Sequence, residues 1–107
     1  MFLAIRLTPP SESSFALRLA GDPGVEYVGY YRLYRDTGYY DQFDLRGAVP
    51  TELQMRGTTV YARVVRQPQS RGALDVQVLR DGRVVDEAQT VAPDGLVEVT
   101  ASMPEGD

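Results

Sequence analysis

VGYYRLYRDTGYY, Val28 to Tyr40, holds five of the chain's seven tyrosines and two of its eleven arginines. Its centre, Asp36-Thr37-Gly38, is turn chemistry, because aspartate caps a reversing backbone and glycine accepts positive φ. On either side, β-branched and aromatic residues fill positions that suit strands. Read as a three-residue hairpin loop with Gly38 in the left-handed region, the stretch sets Arg35 opposite Tyr39. Paired positions then share parity. Val25, Tyr27, Gly29, Tyr31 and Leu33 join Phe43 and Leu45 on an apolar face. Glu26, Tyr30, Arg32, Tyr34, Tyr40, Gln42, Asp44 and Arg46 take the other, with Tyr34 across from Tyr40, Arg32 from Gln42 and Tyr30 from Asp44. One side of this hairpin is core, the other a wet aromatic and ionic surface.

The same period-two alternation runs outward in both directions, bounded by Gly, Pro and Asp. Upstream, FLAIRLT aligns Leu3, Ile5 and Leu7, and FALRLA aligns Phe15, Leu17 and Leu19, before the turn GDPG. Downstream come a strand from Tyr39 to Leu45, the bend RGAVP, TELQM read as a short strand, and TVYARVVRQ closed by Pro68. ALDVQVL and RVVDEAQT flank Asp81-Gly82, a pair suited to a type I′ hairpin turn. A two-residue loop there sets Arg80 opposite Arg83, an unfavourable like-charge pair. A three-residue loop avoids it, so both registers stay open. LVEVTAS forms the last strand. No segment sustains a 3.6-residue period. Seven to eight short strands in about a hundred residues predict an all-β, immunoglobulin-like antiparallel sandwich. A small β-barrel is the alternative. The chain reads as one domain over 1–103 with a tail at 104–107.

Composition narrows the chemistry. The 107 residues contain no His, Cys, Trp, Lys or Asn, and only one Ile. Arginine in place of lysine, with scarce Ile and Asn, fits a GC-rich coding bias; heat or salt tolerance is also compatible. Without cysteine there is neither a disulfide framework nor a thiolate nucleophile. A net charge of −4 opposes general binding to a phosphate backbone, so nucleic acid is not expected as a partner. No run approaches the length needed to span a bilayer, and MFLAIRL, broken by Arg6, is too short for a signal segment.

Catalytic readings find little support. Ser11, Ser13 and Ser14 have no histidine or lysine to activate them, and no phosphate-binding glycine loop is present. Asp36, Asp41 and Asp44 crowd the hairpin tip, but the parity sends Asp41 inward and Asp44 outward, too few converging oxygens for calcium. The chain is therefore expected to have no metal or cofactor and not to be an enzyme, with a carboxylate-pair hydrolase as the residual alternative.

Tyr30, Arg32, Tyr34 and Tyr40 are the candidate binding residues, since Tyr and Arg bury large areas while keeping a polar end. The expected function is a non-catalytic module that binds a protein partner or itself through this face. A small-ligand or polysaccharide binder using the same tyrosines is the alternative. The bland reading, tyrosines that only stabilise a sheet, needs no partner.

Val49-Pro50 after a tyrosine-bearing hairpin, and Asp81 to Val85 (DGRVV) before a glycine-led final strand, give the chain from Val25 to Ala101 a further character. It resembles the extracytoplasmic domain of the MmpS-like small membrane proteins, which accompany exporters of the resistance-nodulation-division type. The resemblance implies a β-sandwich and an accessory role at the cell envelope. Thr51 stands where that family has tryptophan, and the cysteine positions fall near Val76 and on Val99 or Ala101. No functional residue carries over.

Overall fold

A computed structural model describes residues 12–104. Eight strands follow in order: β1 (Ser13–Gly21), β2 (Glu26–Tyr34), β3 (Tyr40–Ala48), β4 (Thr51–Gly57), β5 (Thr59–Arg66), β6 (Leu74–Arg80), β7 (Arg83–Thr90) and β8 (Leu96–Ser102). They form two antiparallel four-stranded sheets packed face to face, ordered β4-β1-β6-β7 and β3-β2-β5-β8. The expected sandwich is present, and TELQM is a strand. The FLAIRLT strand lies outside the described residues. Among the described residues, no helix is long and apolar enough to cross a membrane.

The core follows from the alternation. Phe15, Leu17 and Leu19 of β1 and Leu74, Val76 and Val78 of β6 face Leu33, Val60, Ala62, Val64, Val97 and Val99 of the other sheet. All are buried, and side chains at alternate positions reach the same face because the strand period is two. Val76, Val99 and Ala101 all belong to this core.

The two sides of the sandwich differ. On one, Asp86 Oδ2 of β7 accepts from the Thr100 N–H of β8 at 2.9 Å, and Arg80 Nη1 donates to Ser102 O at 2.7 Å. These contacts draw the sheets together without a backbone ladder, so no barrel closes. On the other, β3 and β4 are open edges among the described residues. There the apolar face of β3 runs past its cover: Leu45 is buried, whereas Phe43 stacks on Tyr31 at 4.9 Å and stays 41% exposed.

Two loops carry polar clamps. Arg66, 4% exposed, donates from Nε to Gly72 O at 2.7 Å and from Nη2 to Ser70 O at 2.6 Å, holding the β5–β6 connection. Asp22 Oδ2 accepts from the Ala73 N–H at 2.7 Å. Buried Tyr27 donates to Thr51 Oγ1 at 2.9 Å, which in turn donates to Ala48 O.

The β6–β7 hairpin takes the two-residue loop. Asp81 and Gly82 both have positive φ, and Arg80 pairs with Arg83. The register then shifts, leaving Val85 as an extra residue between Val84 and Asp86. Arg80 turns away from its opposite number to the Ser102 carbonyl, which removes the objection to that register.

Candidate functional site

The β2–β3 hairpin has the expected three-residue loop. Gly38 has φ +90°, its N–H donates to Arg35 O at 3.0 Å, and the Arg35 N–H donates to Tyr39 O at 2.8 Å. The register pairs Tyr34 with Tyr40, Arg32 with Gln42 and Tyr30 with Asp44. All four candidate residues therefore share the outer face of the β3-β2-β5-β8 sheet. These opposed pairs do not exchange backbone hydrogen bonds, and in antiparallel sheets such pairs bring side chains closest.

Arg32 is the hub. Its guanidinium carbon lies 5.3 Å from the Tyr30 ring centroid and 5.1 Å from that of Tyr40, both cation–π distances. Its Nε donates to Gln42 Oε1 at 2.9 Å. Hydrogen bonding with Tyr34 raises the Arg32 pKa; desolvation opposes it, and the charges of Tyr40 and Tyr30 add lesser increments. Tyr34 and Tyr40 pack at 5.1 Å between centroids, tilted by 43°.

Strand β5 adds residues that the hairpin alone does not reveal. Tyr61 pairs with Arg32 in the ladder, and its ring lies 6.2 Å from that of Tyr30. Its hydroxyl donates to Glu98 Oε2 of β8. The bond to that carboxylate, followed by desolvation, pushes the Tyr61 pKa up to about 12. Tyr61 and Glu98 were not among the expected site residues. Alternation within TVYARVVRQ puts Tyr61 opposite Val60 and Ala62, but placing it beside Tyr30 needs the β2–β5 pairing. The assembled patch is four tyrosines around one arginine. Below it, Val28 and Val65 pair across the same strands, next to Leu96.

The outer face of the other sheet is different. Arg18 reaches Glu52 at 3.0 Å and Gln77 at 3.2 Å, and Gln77 donates to Glu87 at 3.0 Å. These side chains hydrogen-bond to one another across the sheet. On it, burial and then hydrogen bonding to Glu87 raise the Asp75 pKa.

The remaining chemistry is dispersed. Asp41 faces inward and lies 3.8 Å from Arg35, while Asp44 is on the outer face, so the hairpin aspartates do not converge. Among the described residues, no group of three or more acidic or other ligating side chains could hold a metal. One depression of about 350 Å³ is lined by Arg80, Asp81, Arg83, Val85 and Pro104. A smaller one, about 160 Å³, sits at the far end of β2 and β3 beside Glu26, Val28 and Arg46. Tyr27 lines the smaller one, but Tyr30, Tyr34, Tyr40 and Tyr61 line neither. Compared with known proteins, the chain matches no family model and no curated sequence.

Proposed function

We propose that this protein is a non-catalytic interaction module that binds a protein partner, or a second copy of itself, through the outer face of β2, β3 and β5. The observation that carries the reading is the Arg32-centred cluster of Tyr30, Tyr34, Tyr40 and Tyr61. Stacking and hydrogen bonds hold these rings in place, so little side-chain freedom is lost when they are covered. Their composition is that of interface hot spots. The Arg18, Glu52, Gln77 and Glu87 ladder on the opposite sheet offers no comparable surface. Tyr30, Tyr34, Tyr40 and Tyr61 lie outside both depressions, which favours a protein surface over a small ligand or a polysaccharide. Asp75, the one acid among the described residues with a raised pKa, lies beside Glu87 on an open sheet face rather than in a cleft, which weighs against a carboxylate enzyme.

The immunoglobulin-like description belongs to the same proposal, and two packed four-stranded sheets support it. So does the envelope accessory role suggested by the MmpS-like resemblance, for which the Val49-Pro50 bend and the Asp81-Gly82 hairpin are the support. The test is site-specific photo-crosslinking in the native cell, with a benzophenone side chain at position 61 or at position 77 on the opposite sheet. A discrete, identified protein adduct from position 61 and not from 77 is expected. Equal labelling from both positions, or none from 61, overturns the proposal.

A further inference from the structure

The sheet carrying the tyrosines ends in an edge unlike the other three. β7 is interrupted by the extra residue Val85, and its Asp86 side chain takes the Thr100 N–H of β8. The Ser102 carbonyl of β8 is taken by Arg80, and the Arg56 carbonyl of β4 by Arg35. Bulges and capping contacts of this kind are how sheets blunt their edges. β3 has neither. It runs nine residues in unbroken register with β2, without proline.

The direction of its free backbone groups follows from the hairpin. The Arg35 N–H to Tyr39 O bond makes the odd-numbered pairs of β2–β3 the hydrogen-bonded ones. The N–H and C=O groups of Tyr40, Gln42, Asp44 and Arg46 therefore point away from β2, at the open side. No side chain among the described residues bonds to them; the next outward carbonyl, Ala48 O, is taken by Thr51. Beside this row sits Phe43, 41% exposed.

We infer that β3 is a homodimerisation edge, pairing antiparallel with β3 of a second copy about a twofold axis at Phe43. The strand is complementary to itself in this register alone in one respect: every outward backbone group is used. Gln42 then opposes Asp44 of the partner subunit, an amide against a carboxylate. Tyr40 opposes Arg46 of the partner subunit, a ring against a guanidinium. Phe43 meets its own equivalent at a close, non-hydrogen-bonded pair, which covers the exposed ring. A register centred on Asp44 would set two carboxylates against each other. The product is a continuous eight-stranded sheet with both tyrosine patches on one side. The inference concerns the edge and not the face, so it stands or falls apart from the function proposed above.

The chain's lack of cysteine makes the test clean. Light scattering after size exclusion, across a wide concentration range, should show a wild-type monomer–dimer equilibrium. Gln42→Pro removes an outward N–H that the monomer does not use, and should give a monomer with an unchanged circular dichroism spectrum. Phe43→Lys, which sets two ammonium groups at the axis without touching the backbone, should do the same if the proline variant fails to fold. Phe43→Cys should oxidise to a covalent dimer, while Tyr61→Cys should not. Tyr30→Ser with Tyr61→Ser should leave the dimer intact. A wild-type monomer at every concentration overturns the inference. So does a dimer that survives Phe43→Lys, or one that is lost with Tyr30 and Tyr61, which would move self-association to the tyrosine face.

Discussion

Tyr61 of β5 donates its phenolic hydrogen to Glu98 of β8, bridging two strands on the outer face of the sheet. Removing the phenol proton would break that hydrogen bond, which, with desolvation and then repulsion from the carboxylate, is why the Tyr61 pKa rises to about 12 from 10.0. A raised folded-state value means the contact favours folding fully below pH 10 and loses that contribution as pH passes through about 12. Spectrophotometric titration of phenolate should show a late Tyr61 transition near pH 12, with Tyr31 also raised by burial. Glu98→Gln should move that transition down, and Tyr61→Phe should delete it. An unchanged late limb in Tyr61→Phe would assign it to another tyrosine.

Asp75 makes the opposite contribution at neutral pH. Its Oδ1 is buried without a hydrogen-bond partner, and desolvation, then Glu87, raises its pKa above 3.8. The carboxyl favours the folded state while protonated, and that contribution disappears as pH rises through the raised value. Asp75→Asn keeps the shape and a donor toward Glu87 without the charge. It should raise the melting temperature at pH 7, and the gain should shrink as pH falls through the raised value and vanish below about 4. A gain independent of pH would show that charge is not the cause.

Arg66 is the charged clamp of the β5–β6 connection. Hydrogen bonds from a charged donor contribute about 1.5–3 kcal/mol each, and the carbonyls of Ser70 and Gly72 both depend on it. Arg66→Met, of similar length, should cost about 3 kcal/mol in urea unfolding with little change in the denaturant slope. Hydrogen exchange should speed up at Gln67 to Ala73, while β2 and β5 stay protected. A loss below about 0.5 kcal/mol, the range of an ordinary surface substitution, would mean that water replaces the guanidinium without penalty.

Strand order aside, the hairpin at the heart of the site was legible from thirteen residues. Asp36-Thr37-Gly38 dictates a loop length, loop length dictates register, and register dictates which tyrosines share a face. Every step is local, so Tyr30, Arg32, Tyr34 and Tyr40 could be grouped without knowing where the hairpin docks. The Asp81-Gly82 hairpin shows the limit of the same logic. Its turn chemistry favoured two residues, the Arg80–Arg83 repulsion opposed it, and the Ser102 carbonyl of a strand far along the chain settled the conflict.

Alternation and turn residues thus determine that the chain is all-β, where its strands fall and which side of each is apolar. They do not determine neighbours. A strand's pattern says that it has a buried face but not which strand flanks it, because many pairings bury the same side chains equally well. Tertiary structure alone brings β5 beside β2, and with it Tyr61 and Glu98 into the patch. It alone leaves β3, among the described residues, as an open edge with Phe43 41% exposed, since exposure depends on what packs opposite and not on the residue itself.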